Sequence, residues 1–514
     1  YNYDEENGLL LSKGKNSDSS KNTQYSYTAV GLLEHVKQIS TQIDGTSVNI
    51  NTNYSYENDR IKTVEHNGFL YEYEYDSSGR VIGVSEYPLS STEKNQLVTY
   101  NYNNNNVDTI TYGNGAKTIY EYNQLGYITK IIHVPAADET TTENGETATE
   151  LESIVYEYTY DEYGNMLSYT DNSNNTITTI EDGIYTIKEQ GEEGAIIYQN
   201  NGSIKNFYGV KTSLSNPTIS TSSGKTTNTR IFSLLGDSIL PSNVITATTV
   251  YDSVGRTFKT TSTDKSAVVE NECTYVNSGI KTSNLIDTYI SSVKKVSTSN
   301  QEPRIYRKIT YTYNDRGQIT DVYRASVNNI PENVEGTSTS VNQLKNELLK
   351  HYEYDEAGQV ILDVNFDSCI AIKYKYNSGG NLVSKTIYEN DNSDDKSAFY
   401  YKKSTGKYVF NDEKAEVINY GYSSNWGDVL TSFNGETITY DEIGNPINYV
   451  GQSLAGEDIS GTMTWDGNRL TSFDDGETKY VYKYTADGYR TQKISYDSDN
   501  PNQIKSKMDY VYQD

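Results

Sequence analysis

Four histidines, two cysteines and 70 carboxylates are the residues of this 514-residue chain from which chemistry would be built. His35, His66, His133 and His351 stand apart from one another and from Cys273 and Cys369, so neither zinc-ligand spacing nor an HExxH helix is present. "SSGKTT" from Ser222 ends like a phosphate-binding loop, but Ile219 stands where the loop's first glycine belongs. "GNGAK" from Gly113 is a hairpin turn by composition. "DNSNN" from Asp171 and "YDSDN" from Tyr496 are rich in calcium-type oxygens and lack the glycine and distal glutamate of an EF-hand. A carboxylate pair about 5 to 10 Å apart in a cleft would suit glycoside hydrolysis. The commonest placement of acids here is instead a turn position, as at Asp76, Asp161, Asp252, Asp355 and Asp441, where capping accounts for them. We expect no catalytic residue, no cofactor and no dedicated metal site. A disulfide between Cys273 and Cys369 stays open, and the fold does not depend on it.

The elements that carry these residues follow from composition and periodicity. Hydrophobic residues make up 34% of the chain, and tyrosine supplies 50 residues against 9 Phe and 2 Trp. Each buried tyrosine brings a hydroxyl that needs a partner, so a half-wet wall suits this composition better than a thick core. The net charge of −27 argues against nucleic acid, whose phosphates demand cations, and against an anionic membrane surface. No apolar run approaches the ~18 residues of a membrane helix.

Tyr-x-Tyr, a short polar residue, two free positions and Gly recur eight times, from Tyr25, Tyr73, Tyr120, Tyr158, Tyr311, Tyr352, Tyr374 and Tyr482. The clearest copies are Tyr73, Tyr75, Asp76 and Gly79; Tyr158, Tyr160, Asp161 and Gly164; Tyr311, Tyr313 and Gly317; and Tyr352, Tyr354, Asp355 and Gly358. Half-copies stand at 251–255 and 440–444. Alternating tyrosine predicts a strand, and the polar-x-x-Gly segment predicts a three-residue hairpin loop. In that loop Asp caps a type I turn and Gly takes the left-handed bulge position. In "YNYNNNN" from Tyr100, Asn106 falls where Gly is expected, so a left-handed Asn106 is predicted. The register places Asp76 opposite Arg80 and Tyr75 opposite Val81, and the same position holds Leu33, Ile128, Met166, Ile319, Val360 and Leu382. An Asn-Gly turn is expected at "HNG", residues 66–68. The fold class is all-β: one long spiralling antiparallel sheet of hairpins over 1–514, on the order of 40 to 60 strands.

Interruptions are polar. Surface loops are expected at 136–150 and 390–398, one or two helical turns at 340–350, and a hinge or exposed edge at 215–229. The stretch 180–250 lacks the full motif and is taken as diverged repeats. Trp465, in "MTWDGNRL", replaces Tyr ahead of an Asp-Gly turn, and Trp426 is weighed as a stacking residue.

Tyr-x-Tyr-Asp-x-x-Gly-Arg-Val at irregular spacing of ~20 residues resembles the YD-repeat, or Rhs-repeat, family along essentially the whole chain. "ITYDEIGNPINY", "TMTWDGNRLTSF" and "YKYTADGYRTQKIS" are similar to the late part of Rhs proteins of Gram-positive bacteria. The resemblance implies a β-sheet that spirals into part of a hollow shell. In bacterial members the shell encloses a C-terminal toxic domain, and relatives include insecticidal toxin-complex components, wall-associated YD proteins and teneurins. It further implies a secreted or cell-surface bacterial protein, with the C-terminal effector of the parent chain as its partner. The aspartyl self-cleavage segment of Rhs toxins contains Asp-Pro, and none of the 8 prolines here follows Asp. Because the chain opens inside a repeat, "YNYDEENG", and stops at "DYVYQD", it is expected to be part of a larger protein. The alternative expectation is a surface adhesion module binding glycans or a protein through its outer wall. Neither expectation includes nucleic-acid binding or membrane insertion.

Overall fold

The computed structural model describes residues 1–14, 22–136, 153–172, 176–181, 184–189, 196–199, 204–207, 210–214, 218–222, 225–235, 243–264, 266–276, 283–295, 305–328, 346–390, 398–424, 427–452, 458–484, 488–498 and 500–510. Forty-two strands, β1 (Asn2–Tyr3) to β42 (Asn500–Asp509), fill most of it. The chain is all-β. The first 31 strands, to β31 (Leu382–Glu389), continue through Ala415–Tyr422, Leu430–Phe433 and Glu436–Thr437 as one 34-stranded antiparallel sheet. Within this sheet each strand pairs with the sheet strands before and after it, with one exception. Val210–Leu214 and Thr218–Ser222 both pair along Lys225–Leu235, which leaves Thr218–Ser222 exposed along its length. A six-stranded sheet spans Asn448 to Asp509, and Phe399–Lys402 pairs with Lys407–Phe410 as a separate hairpin.

The repeat loops set the register. Asp76 N donates to Arg80 O at 3.0 Å and Gly79 N to Asp76 O at 2.9 Å, with Gly79 at φ +82°. Tyr75 opposes Val81, and Tyr27, Tyr122, Tyr160, Tyr313, Tyr354 and Tyr376 oppose Leu33, Ile128, Met166, Ile319, Val360 and Leu382. A bulge accompanies each of these pairs, which bends the strand and sharpens its twist. Asn67 and Gly68 form the expected Asn-Gly turn, both at positive φ.

Two local expectations are corrected. Asn106 is not left-handed: it pairs with Asn103, and Asn104 takes positive φ, at +54°. The hairpin closes with a shorter loop there, so the special position moves two residues back. Residues 347–350 are not helical, because Glu347–Tyr354 is a strand paired with Ile319–Asn328 on one side and Val360–Asn365 on the other. Ladder pairing on both sides overrides their helix propensity. The remainder of that helix, most of the loops at 136–150 and 390–398, and Trp426 lie outside the described residues. Cys273 and Cys369 are both free.

Strand alternation gives the sheet two unlike faces. One carries the motif tyrosines and their aliphatic partners. The other carries charge in cross-strand ladders: Glu72 bridges Lys62 at 3.2 Å and Lys94 at 2.8 Å, and Glu270 bridges Lys259 at 3.0 Å and Lys294 at 2.7 Å. Burial opposes the charge on Glu72, but Lys94, Lys62 and the Tyr87 hydroxyl outweigh it and hold the carboxyl below its ordinary value. Among the described residues 17 hydrophobic and 16 polar side chains are buried, a near-even mixture that a layered globular core would not give. A thicker apolar cluster joins Leu362, Val364, Ala371 and Tyr388 of the sheet to Ala398 and Phe399 at the foot of the separate hairpin.

The tyrosines are satisfied in a regular way. Next to each bulged loop the ladder to the preceding hairpin ends early: strand Arg60–His66 pairs with Phe69–Tyr75 only as far as Thr63 and Glu72. The carbonyl of Ile61, beyond that rung, accepts from the Tyr75 hydroxyl at 2.8 Å. Among the described residues thirteen tyrosines make this bond at 2.5 to 2.9 Å, including Tyr27, Tyr160, Tyr313, Tyr354, Tyr376 and Tyr484, each to the preceding hairpin. Trp465 does the same with its indole N–H, donating to Pro446 O at 2.6 Å. Tyr354→Phe orphans the Ile319 carbonyl and is expected to cost about 1 kcal/mol more than Tyr352→Phe. Urea unfolding of the two variants measures the difference, and coincident midpoints would remove the hydroxyl rung from the account.

Candidate functional site: the seam between successive laps

Hairpins of this kind have two sorts of turn, the Asp-x-x-Gly loops at one edge of the sheet and plainer turns at the other. Within the Asp-x-x-Gly edge, loops are tied side by side. Arg80 Nε donates to Asp76 Oδ2 at 2.7 Å, its guanidinium lies 4.3 Å from the ring centre of Tyr102, and Nη1 donates to Asn104 O. Arg256 repeats all three contacts with Asp252, Tyr275 and Ser283. Where Arg is absent an amide serves, as Gln318 Nε2 donates to Gly358 O at 2.9 Å and Gln359 Nε2 to Gly380 O at 2.8 Å.

The plain turns of residues 41–136 meet the loops of residues 355–467. Gln42 Oε1 accepts from Tyr376 N at 3.0 Å, and Thr41 N donates to Glu356 Oε2 at 3.2 Å. His66 Nε2 lies 3.1 Å from Gly379 O, and Asn67 Nδ2 donates to Asp428 Oδ1 at 2.9 Å. Asn95 Nδ2 donates to Glu442 O at 2.7 Å and Asn114 Nδ2 to Gly467 O at 2.9 Å. His133, fully buried, places Nε2 2.7 Å from Asp466 Oδ2 and Nδ1 3.2 Å from Thr118 Oγ1. Both sides advance together along the chain, so a second lap of the sheet rests on the first. The laps are joined through turns and side chains, and the sheet itself does not close.

Glycines make the close approach. A Cβ on Gly427 would lie 2.4 Å from Asn67 O, and one on Gly113 would lie 2.7 Å from Ile443 Cγ2. At the far end of the seam a half-open cavity of about 420 Å³ lies between Tyr112, Thr118 and Tyr120 of the first lap and Trp465, Arg469 and Arg490 of the six-stranded sheet. Arg490 is stacked 4.3 Å from the Tyr482 ring centre and donates to the Tyr484 hydroxyl at 3.2 Å.

The motif residues are distributed along the wall and do not converge. Asp161 accepts from Tyr163 N and Asn165 N, Asn314 takes the aspartate's place beside Gly317, and Gly164, Gly317 and Gly358 stand at φ +85°, +78° and +92°. Tyr73, Tyr158, Tyr311 and Tyr352 oppose Val84, Tyr169, Val322 and Asp363 on the tyrosine face. Of the four motifs named at the outset, only 352–358 stands at the seam. The seam residues that sequence reasoning missed are the amides and imidazoles of the plain turns, Gln42, His66, Asn67, Asn95, Asn114 and His133. Their one sequence signal is recurrence at the turns that lack the motif.

Burial at the seam raises the Asp355 carboxyl above its ordinary value of 3.8, against the lowering pull of the Ser40 hydroxyl and of Gln359 N and Gly358 N. Among the described residues no three His, Cys, Asp or Glu side chains stand together as a metal cluster would. No family model and no curated protein matches the sequence. Two crystal structures are similar in fold, those of TcdB2-TccC3-TEV and TcdB2-TccC3-Cdc42, with TM-scores of 0.39 and 0.37 and 12% identity each. They match 95% of this chain, which spans 25% and 27% of theirs, about a quarter of their length. The likeness is one of fold alone.

Two outcomes follow from the seam. Gly427→Val is expected to spread the laps at Asn67 and to raise hydrogen exchange at 66–68 and 379–381 while strand content by circular dichroism stays unchanged. Unchanged exchange there would mean that the close contact does not hold the laps. Because folded Asp355 holds its proton more tightly than the unfolded chain does, it destabilises the fold above its raised value. Stability is recovered as pH falls from that value towards 3.8. Asp355→Asn keeps the acceptor for Gln359 N and should gain less stability than the parent as the pH falls from neutral towards 3.8. Equal gains in thermal melts would contradict the assignment.

Proposed function

We propose that this chain is a non-catalytic wall segment of a secreted or cell-surface bacterial protein of the YD-repeat kind, enclosing a C-terminal effector of its parent chain for delivery. The observation that carries this reading is the collinear seam, by which a single-layer sheet returns on itself. About 23 strands lie between the turn at 42–45 and the loop at 355–358. At ~4.8 Å per strand a round lap has a perimeter of about 110 Å and a width of about 35 Å, or roughly 25 Å inside the side chains. A folded 100-residue domain, with a radius of gyration of ~13 Å, would need more room than one such lap offers. An extended or partly folded chain would fit.

A second reading, adhesion through an outer surface, is favoured by the half-exposed rings of Tyr400 and Tyr401 on the separate hairpin, at 49% and 51% exposure. Small-angle scattering separates the two at the level of shape. The wall reading expects the distance distribution of a hollow body, and that of compact, separately tumbling β domains would overturn it. A reporter peptide fused after Asp514 should then resist protease in the parent chain and lose that protection in Gly427→Val.

A further inference from the structure

Two Asn-Gly turns of the main sheet share one backbone and differ in what surrounds them. Asn67 and Gly68 stand at φ +49° and +83°, and Asn434 and Gly435 at +48° and +92°, the two-residue hairpin loop in which both residues are left-handed. Among the described residues neither Gly68 N nor Gly435 N donates a backbone hydrogen bond, whereas Gly8 N, after Asn7, donates to Asp4 O at 3.0 Å and Gly115 N, after Asn114, to Tyr112 O at 2.9 Å. An Asn-Gly step with an unengaged glycine N–H is chemically labile. Glycine has no Cβ to keep its nitrogen from the asparagine side chain, and asparagine is a thermolabile residue. Asn434 is exposed. Asn67 is instead held in the seam, where Nδ2 donates to Asp428 Oδ1 at 2.9 Å, the oxygen that also accepts from Asn381 Nδ2 at 2.8 Å. A Cβ on Gly379 would lie 2.3 Å from Asn67 Nδ2, so the amide is enclosed on that side as well.

We propose that Asn67 is a site of spontaneous deamidation gated by the seam, at which a reversible parting of the laps becomes permanent. In the reaction Gly68 N bonds to Asn67 Cγ, the Cγ–Nδ2 bond breaks, and Nδ2 leaves as ammonia with the proton that Gly68 N gives up. Water then opens the cyclic imide. Attack at Cγ leaves aspartate, and attack at the main-chain carbonyl leaves isoaspartate, with the chain running through the former side chain. For the ring to form, the amide must swing off Asp428 and out from beside Gly379, so the step proceeds from a locally opened turn. Afterwards the donor to Asp428 has become a carboxylate. Two like charges then face each other where an amide and a carboxylate stood 2.9 Å apart, which opposes closure. Nothing in this chemistry depends on what the wall encloses.

Mass spectrometry of acid-protease digests follows the amide-to-acid conversion at Asn67 and Asn434 while the full chain is held at mildly alkaline pH. Asn434 serves as the internal clock and should convert as fast in the folded chain as in urea. Asn67 should convert several-fold more slowly than Asn434 in the folded parent and match it in urea. Asp428→Ala removes the acceptor and leaves the strands alone, and it should raise the Asn67 rate towards that of Asn434, as should Gly427→Val. Circular dichroism of each variant identifies any rise that comes from unfolding. Asn67→Asp, made directly, should raise hydrogen exchange at 377–381, and Asn67→Asp combined with Asp428→Asn should restore it. Equal rates at Asn67 and Asn434 in the folded parent, an Asn67 rate indifferent to Asp428→Ala, or unchanged exchange in Asn67→Asp would each overturn the proposal.

Discussion

The hydroxyl of the second tyrosine in each motif, donated to a carbonyl of the preceding hairpin, is the bond on which the rest of the wall depends. Each bulged loop twists its two strands away from the neighbouring hairpin, and the ladder between hairpins stops short of the loop. A backbone carbonyl left there without a donor would cost of the order of 1 to 3 kcal/mol if it stayed dry. Tyrosine bridges the gap from its own strand, so the loop's twist and an uninterrupted sheet coexist. Phenylalanine would pack as well and leave the carbonyl bare, which explains why tyrosine outnumbers it fivefold. Trp465 supports the same account, since its indole N–H does the work of the hydroxyl where the ring differs.

A sheet held in this way needs no second layer. Its apolar contacts run along one face between a tyrosine and the aliphatic residue opposite, and its charges run in ladders along the other. Accumulated twist carries the strip round until plain turns meet motif loops more than 300 residues later. Within the sheet each strand is held by several backbone bonds. Across the seam the laps meet mainly through single amide, imidazole and carboxylate contacts, for which water can substitute. The seam is therefore the weak line of the wall and would part before its strands separate.

Charge has separate uses in different places. Most motif aspartates are turn acceptors, the glutamates of the charged face pair with lysines, and Asp355 is held in the seam at a cost to its ionised form.

The loop, its register and the division of faces were legible in the sequence, because each is decided by residues fewer than ten positions apart. Positive φ at glycine, aspartate within reach of its own turn, and period-two tyrosine act locally, and Tyr75 meets Val81 for that reason alone. The misplacement of Asn106 shows the limit even there, since one residue fewer in the loop moved the left-handed position to Asn104. The strand at 347–350 was settled by partners on both sides, which outweighed a helical sequence. The hydroxyl rung joins one hairpin to the hairpin before it, at a separation that varies with insertions, and no spacing rule announces it. The seam was beyond reach for a stronger reason. Gln42, Asn67 and His133 meet partners some 300 residues away only because small twists summed over more than twenty strands, and that sum is a property of the folded sheet.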